Sequence, residues 1–486
     1  MAIFFLFSFI LLFFKGSAFL DPDFGWHLKM GELITSSGIP KLDPFSYTMP
    51  SFPYIDIQWL TNVIFKVLYP NIGMAGLSAI YAFIVLLCLF VALKSVGKIR
   101  SYWEVPIILA TAILFGYFGV RPQVASWLLW AVFLFVVLNE RRLRRWWYFL
   151  PALVILWVNL HGSFAISVAT LFLIGIVKLW QKKLKKDFVL IFFLSILATF
   201  INPYGPRIWH EVWLQISDSS LRWRIMEWQP ALFSFNLPLL FYIGLSTTFI
   251  WLNRKKFDIA ELVLYVFFLL QGLASVRHIP LWLILSLPMT IKAFNLYKKE
   301  INKIPLAPVR LAKVYRLALY GSLFIALVSF ALSFNSALYL KENRFYPKQA
   351  IAYLKNNLPK GEIFSEYGWG GYLIWKLPEK KVFVDGRMPS WRYKNSPASE
   401  SGYIMQEYLD LLNGKKPYQE VFAKYGVELV LWPKPRPLDP LAQFAQKLDK
   451  LLFKKLSSFD LISELNKGGW YRVYEGDAFV IFRKPQ

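Results

Sequence analysis

Apolar runs long enough to cross a bilayer recur along this chain, and nothing constrains its fold more than they do. About 20 consecutive apolar residues span the hydrocarbon core. Inside that slab each backbone N–H and C=O must find its partner within the segment, so such a run spans as a helix. Eleven runs are read at about 2–20, 73–93, 105–120, 123–138, 146–159, 163–179, 188–202, 237–252, 259–274, 279–294 and 317–335. The expected fold class is therefore mostly α, a polytopic transmembrane helix bundle. Composition agrees: 56% of the 486 residues are hydrophobic and only 17% charged, against roughly 25% charged in a soluble domain. A soluble enzyme is excluded for the chain as a whole. The first run has no basic residue ahead of it and no small-residue cleavage site before Asp21, so it is read as a retained span rather than a signal peptide.

The net charge of +25 sits in short basic clusters between apolar runs, which is a topology signal and not a nucleic-acid groove. With a cytoplasmic N-terminus, the inner loops carry Lys94, Lys98 and Arg100; Arg141, Arg142, Arg144 and Arg145; Lys178 to Lys186; Arg254 to Lys256; and Lys292 to Arg316. Basic residues concentrate inside, so the chain is expected in the cytoplasmic membrane with its C-terminal residues outside. Cys88 is the one cysteine and lies in an apolar run, which excludes an intrachain disulfide and a cysteine zinc site.

That orientation puts all four histidines, His27, His161, His210 and His278, at outer helix ends or in outer loops. Asp21, Asp23, Asp43, Asp56, Arg121, Arg207, Arg222, Arg224 and Arg277 fall there too. Polar groups gathered on one side of the bilayer point to a shared outer site. Two outer loops are long, about 21–72 and about 202–236. The first contains the amphipathic stretch Ile57 to Lys66, suited to the membrane interface. The domain expectation is a transmembrane domain over 1–337, holding both loops, and an extracytoplasmic α/β domain over 338–486. In the latter the pattern predicts helices over Pro347–Leu358, Tyr403–Tyr425 and Leu438–Leu456. Strands are predicted over Lys381–Asp385 and Val427–Trp432, with a hairpin over Trp470–Arg483.

Asp21-Pro22-Asp23, followed by His27, offers two carboxylates that can hold a divalent cation or supply a base beside an acceptor hydroxyl. Asp23 is equally placed to cap the helix that starts after it. Arg121-Pro122-Gln123 makes up a whole outer turn, where a guanidinium can grip phosphate bidentately or merely snorkel to the interface. His161 in Asn159-Leu160-His161-Gly162 and the pair Arg277-His278 break other outer turns. Asn202-Pro203-Tyr204-Gly205 reads as a turn. Glu227-Trp228-Gln229-Pro230 suits either a substrate contact or an interfacial anchor. Trp369-Gly370-Gly371-Tyr372 and Asp385-Gly386-Arg387 read as strand-end turns and lack phosphate-loop spacing.

These motifs, with His27-Leu28-Lys29-Met30-Gly31-Glu32, Gly38-Ile39-Pro40 and Asp43-Pro44-Phe45-Ser46-Tyr47-Thr48, resemble a family of bacterial and archaeal membrane proteins related to the GT-C superfamily of polyprenyl-phosphate-sugar-dependent glycosyltransferases. The resemblance covers most of the chain. It implies a hexosyl- or pentosyltransferase that takes its sugar from a polyprenyl phosphate carrier. It also implies that Asp23 or Asp21 serves as general base or as ligand to Mg or Mn. The chain departs from the family in having Gly25 where an aromatic is usual, and Ile57-Gln58 where a His-Glu pair precedes Trp-Leu; the second departure removes a carboxylate.

The reading is an integral membrane glycosyltransferase with an extracytoplasmic site. Asp23, Asp21 and His27 are the expected catalytic residues, with Asp21 and Asp23 as the expected metal ligands. Arg121, Gln123, His161, Arg207, Arg277 and His278 are expected to bind substrate. Partners are the lipid-linked sugar donor, membrane lipids and a glycan, lipid or protein acceptor, without nucleic acid. The alternatives are a lipid or glycan transporter and a non-catalytic scaffold of the cell envelope.

Overall fold

A computed structural model describes residues 1–97, 103–234, 236–301, 307–434 and 459–485 of the chain. The molecule is mostly helical with one small sheet, and it divides into two compact units. One comprises Met1–Leu20 with Ile55–Leu338; the other comprises Asp21–Tyr54 with Tyr339–Gln486.

The apolar runs of the first unit fold as α1 (Ala2–Ala18), α3 (Trp59–Lys94), α4 (Glu104–Tyr117), α5 (Pro122–Leu138), α6 (Leu150–Leu160), α7 (Ala165–Trp180), α8 (Lys186–Ala198), α10 (Leu237–Leu252), α11 (Ile259–Ala274), α12 (Ile279–Ile301) and α13 (Ala307–Tyr339). The long stretch 202–236 adds α9 (Arg207–Ser217). Four helical stretches among the described residues are long and apolar enough to cross a membrane: Trp59–Lys94, Gly162–Trp180, Val276–Glu300 and Val309–Tyr339. Helices α1, α4, α5, α10 and α11 are apolar but shorter, so the structure does not confirm a count of eleven spans. Helix α3 is two helices joined at a kink, because Pro70 withholds an N–H and Gly73 takes a positive φ of 61°. The amphipathic stretch thereby runs into the span without a loop.

Burial separates the helices by role. The apolar window of Val276–Glu300 is 78% buried, whereas that of Val309–Tyr339 is 11% buried. The first is thus central, and the second presents its apolar surface outward, as a helix facing lipid does. Helix α12 packs against α3, α4, α5, α10 and α11, and Trp130 on α5 donates its indole N–H to Leu281 O at 2.9 Å. Helices α1 and α3 approach closely at Gly16 and Ser78, whose hydroxyl donates to Phe13 O at 2.7 Å.

In the second unit, α2 (Phe24–Ser37) belongs with α14 (Lys348–Asn356), β1 (Glu362–Ser365), α15 (Gly370–Lys376), α16 (Ile404–Leu412), α17 (Tyr418–Tyr425), β2 (Val427–Pro433), α18 (Leu461–Lys467), β3 (Tyr471–Glu475) and β4 (Phe479–Arg483). The sheet order is β1-β2-β4-β3, with β1 parallel to β2 and the other pairs antiparallel. The hairpin expected at the C-terminus is β3–β4. The single helix expected over Tyr403–Tyr425 is two, α16 and α17, separated where Gly414 adopts φ 67° and Pro417 follows. Lys381–Asp385 is not a strand. It is an extended segment touching the first loop through one parallel bridge, Ser46 to Val382, while the strand beside β2 is the shorter Glu362–Ser365. The helix expected over Leu438–Leu456 lies outside the described residues.

The sequence boundary near residue 338 left Asp21–Tyr54 with the membrane domain; in the structure that segment packs with the C-terminal residues. Helices α2 and α15 meet with almost no space between their backbones. A Cβ on Gly25 would lie 2.1 Å from Gly371 O, and one on Gly371 would lie 2.2 Å from Pro22 O. Only paired glycines allow that approach.

Candidate functional site

The acidic turn of the second unit is tightly built. Asp21 follows the last residue of its apolar run and is buried. Its Oδ1 accepts the Asp23 N–H at 2.9 Å, closing an Asx turn across Pro22. Asp23 holds the N-cap position of α2, but its side chain makes no cap hydrogen bond to the helix backbone. Instead Asp23 Oδ1 accepts the Trp26 indole N–H at 2.9 Å. The capping alternative is therefore not what the carboxylate does. His27 is buried, its ring 3.7 Å from that of Trp26 between centroids.

Behind this turn stands Asp385-Gly386-Arg387. Arg387 forks onto Asp385, donating from Nε to Oδ1 at 2.8 Å and from Nη2 to Oδ2 at 2.6 Å. Its Nη1 lies 2.8 Å from Asp43 Oδ1. All three side chains are buried, at 2% or less exposure. Phe45, Tyr54, Trp391 and Trp26 surround the guanidinium at 5.0, 5.3, 5.3 and 5.9 Å from their ring centroids. Burial opposes the charge, but Asp385 and Asp43 outweigh it and hold Arg387 protonated well above the usual arginine value.

The first unit carries a separate basic cluster. Arg121 precedes α5 with extended backbone, and its Nη1 lies 2.5 Å from Glu227 Oε1. Its guanidinium also covers the Phe19 ring at 5.2 Å. Arg277, in the short 3₁₀ turn Val276–His278, covers the Trp228 ring at 4.5 Å. Ser275 Oγ donates to Glu227 O at 3.2 Å, and Val276 N–H donates to Gln229 O at 3.0 Å, pinning the two turns together. Burial opposes ionisation of Glu227, but the charges of Arg121 and Arg277 and the Arg121 hydrogen bond hold its carboxyl below the usual carboxylate range. Two guanidiniums thus flank one carboxylate. The His278 ring lies 6.3 Å from that of Trp228, and Gln123 sits half-buried in the first turn of α5.

Two expected substrate residues lie outside this cluster. His161 is buried and its Nδ1 faces Ser163 Oγ at 2.8 Å and Ser126 Oγ at 3.1 Å, while accepting the Ser163 N–H at 3.3 Å. Trp157 donates to both hydroxyls. This is a turn satisfying its own polar groups. Arg207 is exposed at the start of α9 and is not among the charges acting on Glu227. Among the described residues, no three His, Cys, Asp or Glu side chains are arranged to hold a metal ion. Oδ1 of Asp21 and Oδ1 of Asp23 each accept an N–H within the turn.

The sequence reading passed over Lys15. It is the one charge inside the first apolar run, which was the signal available. Its ammonium is buried and donates to the Phe115 and Gly116 carbonyls, the latter at 3.2 Å, at the C-terminal end of α4.

No family model and no curated protein matches the chain. A crystal structure of the Archaeoglobus fulgidus oligosaccharyltransferase, complexed with Zn and sulfate, aligns over 88% of this chain and 67% of its own, with 11% identity and a TM-score of 0.49. A likeness at that level carries no residue role from one chain to the other.

Proposed function

We propose that this protein is an integral membrane glycosyltransferase. It takes a sugar from a polyprenyl phosphate carrier and passes it to a glycan, lipid or protein hydroxyl on the extracytoplasmic side. The observation that carries the reading is the Arg121–Glu227–Arg277 cluster. Two guanidiniums supported on aromatic rings at the ends of apolar helices suit a phosphate attached to a lipid chain. In the reaction the acceptor oxygen attacks the anomeric carbon and the bond from that carbon to the phosphate oxygen breaks. The acceptor's proton passes to the Asp23 carboxylate. The charge growing on the departing phosphate is met by Arg121 and Arg277. No step is assigned to a metal.

The test is release of polyprenyl phosphate from a polyprenyl-phosphate sugar by the purified protein in liposomes. Asp23→Asn keeps the shape of the side chain and removes its basicity. It should slow release at least about a hundredfold while donor binding persists. Wild-type release by that variant would refute the role of Asp23. Movement of the intact donor across the bilayer without cleavage would replace the reading with transport.

A further inference from the structure

We infer that Trp26 and Gly386 are positioning residues for the Asp23 carboxylate, an inference resting on the reading of Asp23 as proton acceptor. A general base must be held within hydrogen-bond reach of the proton it takes, and a short side chain on a surface turn does not stay there unaided. In this protein two features fix it. The Trp26 indole N–H donates to Oδ1 at 2.9 Å. On its other side the carboxylate occupies space that only a glycine leaves open: a Cβ on Gly386 would meet Oδ1 at 1.9 Å and Oδ2 at 3.2 Å. Gly386 has an ordinary negative φ, so its requirement for glycine is the room it gives Asp23 and not backbone strain.

The wall itself cannot yield. Gly386 lies between Asp385 and Arg387, whose forked ion pair, shared with Asp43, is wholly buried. The Arg387 N–H also donates to Asp385 Oδ1 at 2.9 Å, closing the turn on itself. From the front, Gly371 packs on Pro22 O and Gly25 on Gly371 O, so the backbone of the acidic turn is clamped as well. The three glycine-bearing motifs thus form a seat for one carboxylate, although each by itself reads as a turn or a helix packing point.

An alanine at 386 would push Oδ1 by about 1.5 Å to reach ordinary contact. A displacement of that size costs on the order of a hundredfold in rate when the group is catalytic. Trp26→Phe removes the donor but keeps an aromatic ring, at the cost of part of the packing on His27 and Arg387, so the carboxylate loses one of the contacts that hold it and kcat should fall with donor KM unchanged.

The experiment measures kcat and donor KM of polyprenyl phosphate release for wild type, Gly386→Ala, Trp26→Phe and Asp23→Asn, all as full chains in liposomes, with folding followed by proteolysis. The inference expects kcat to fall in both Gly386→Ala and Trp26→Phe with donor KM unchanged. If Gly386→Ala does not fold, Trp26→Phe decides. Folded variants with wild-type kcat would overturn the inference while Asp23→Asn remained inactive. Full activity in Asp23→Asn would instead overturn the reading beneath it.

Discussion

Replacing Arg387 by methionine is the most demanding test of how the second unit is held together. The substitution keeps a long side chain among Phe45, Tyr54, Trp391 and Trp26 but leaves Asp43 and Asp385 facing each other, both with fully buried side chains. Removing one partner of a buried ion pair costs about 3–5 kcal/mol, because the other charge stays behind unpaired. Two carboxylates are orphaned here, so a loss within that range is expected. For a unit of this length each kcal/mol moves Tm by roughly 2–4 °C, so the melting point should fall by roughly 6–20 °C. Limited proteolysis against temperature, at one heating rate, reads this out in a membrane protein that does not refold after heating. Arg387→Lys keeps the charge but loses the fork that reaches both acids, and should fall in between. The triple variant Arg387→Met, Asp43→Asn, Asp385→Asn removes every charge and should recover part of the loss, a coupling that independent sites would not show. A drop of less than about 2 °C in Arg387→Met, where roughly 6 °C is the least expected, would refute the argument.

Arg121→Ala and Arg277→Ala should each weaken binding of a prenyl monophosphate roughly tenfold or more, the scale of a charge-assisted pair; isothermal titration with wild-type affinity in both would end the clamp idea. Glu227 has a folded pKa below the ordinary carboxylate value of 4.5, so its pairing is fully present above that value and is lost as pH falls through the folded one. Sulfate, whose charge is constant there, should bind more tightly as Glu227 protonates, and Glu227→Gln should flatten that rise. Burial raises the Glu366 carboxyl above its ordinary value, only partly offset by the Gly368 and Trp369 N–H groups. Its contribution to stability is therefore full below pH 4.5 and lost as pH rises through the folded value, so Glu366→Gln should raise Tm at neutral pH and leave it unchanged in acid. Gly25→Ala drives a methyl into Gly371 O and should cost the second unit about 1–3 kcal/mol, seen as earlier proteolysis; an unchanged melt would show that α2 and α15 can part.

The bundle was legible because a span must announce itself in a long apolar run, and the turns carrying Arg121 and Arg277 stood out as interruptions. Their pairing with Glu227 was not, since 106 residues separate Arg121 from its partner and local patterning carries no record of such contacts. Lys15 was passed over because hydropathy averages across a lysine whose ammonium is buried against two carbonyls. In the second unit Lys381–Asp385 is an apolar run that reads as a strand yet pairs through one bridge only, while the parallel neighbour of β2, Glu362–Ser365, is too short to show a period. Asp23 before an apolar helix matched a capping pattern, and only the position of the Trp26 indole shows otherwise. Gly371 and Gly386 read as turns because a glycine's reason for being small lies in what approaches it, and here that is a segment more than 300 residues earlier.

The clamped glycines of α2 and α15 also set an order of events during synthesis. When Asp21–Tyr54 leaves the ribosome, everything it packs against remains to be made; 285 residues separate Tyr54 from Tyr339. At about 5–20 residues per second the segment waits roughly 15–60 s with Phe24, Trp26, Leu28 and Met30 uncovered, all of which the finished protein buries. Through that interval it is a segment joined in the chain to an apolar helix on either side, Ala2–Ala18 before it and Trp59–Lys94 after it. The same arrangement means that the second unit has no contiguous gene fragment. A polypeptide starting at Tyr339 would carry Arg387 and Asp385 into the cell without Asp43, and Gly386 without the carboxylate it was left open to receive.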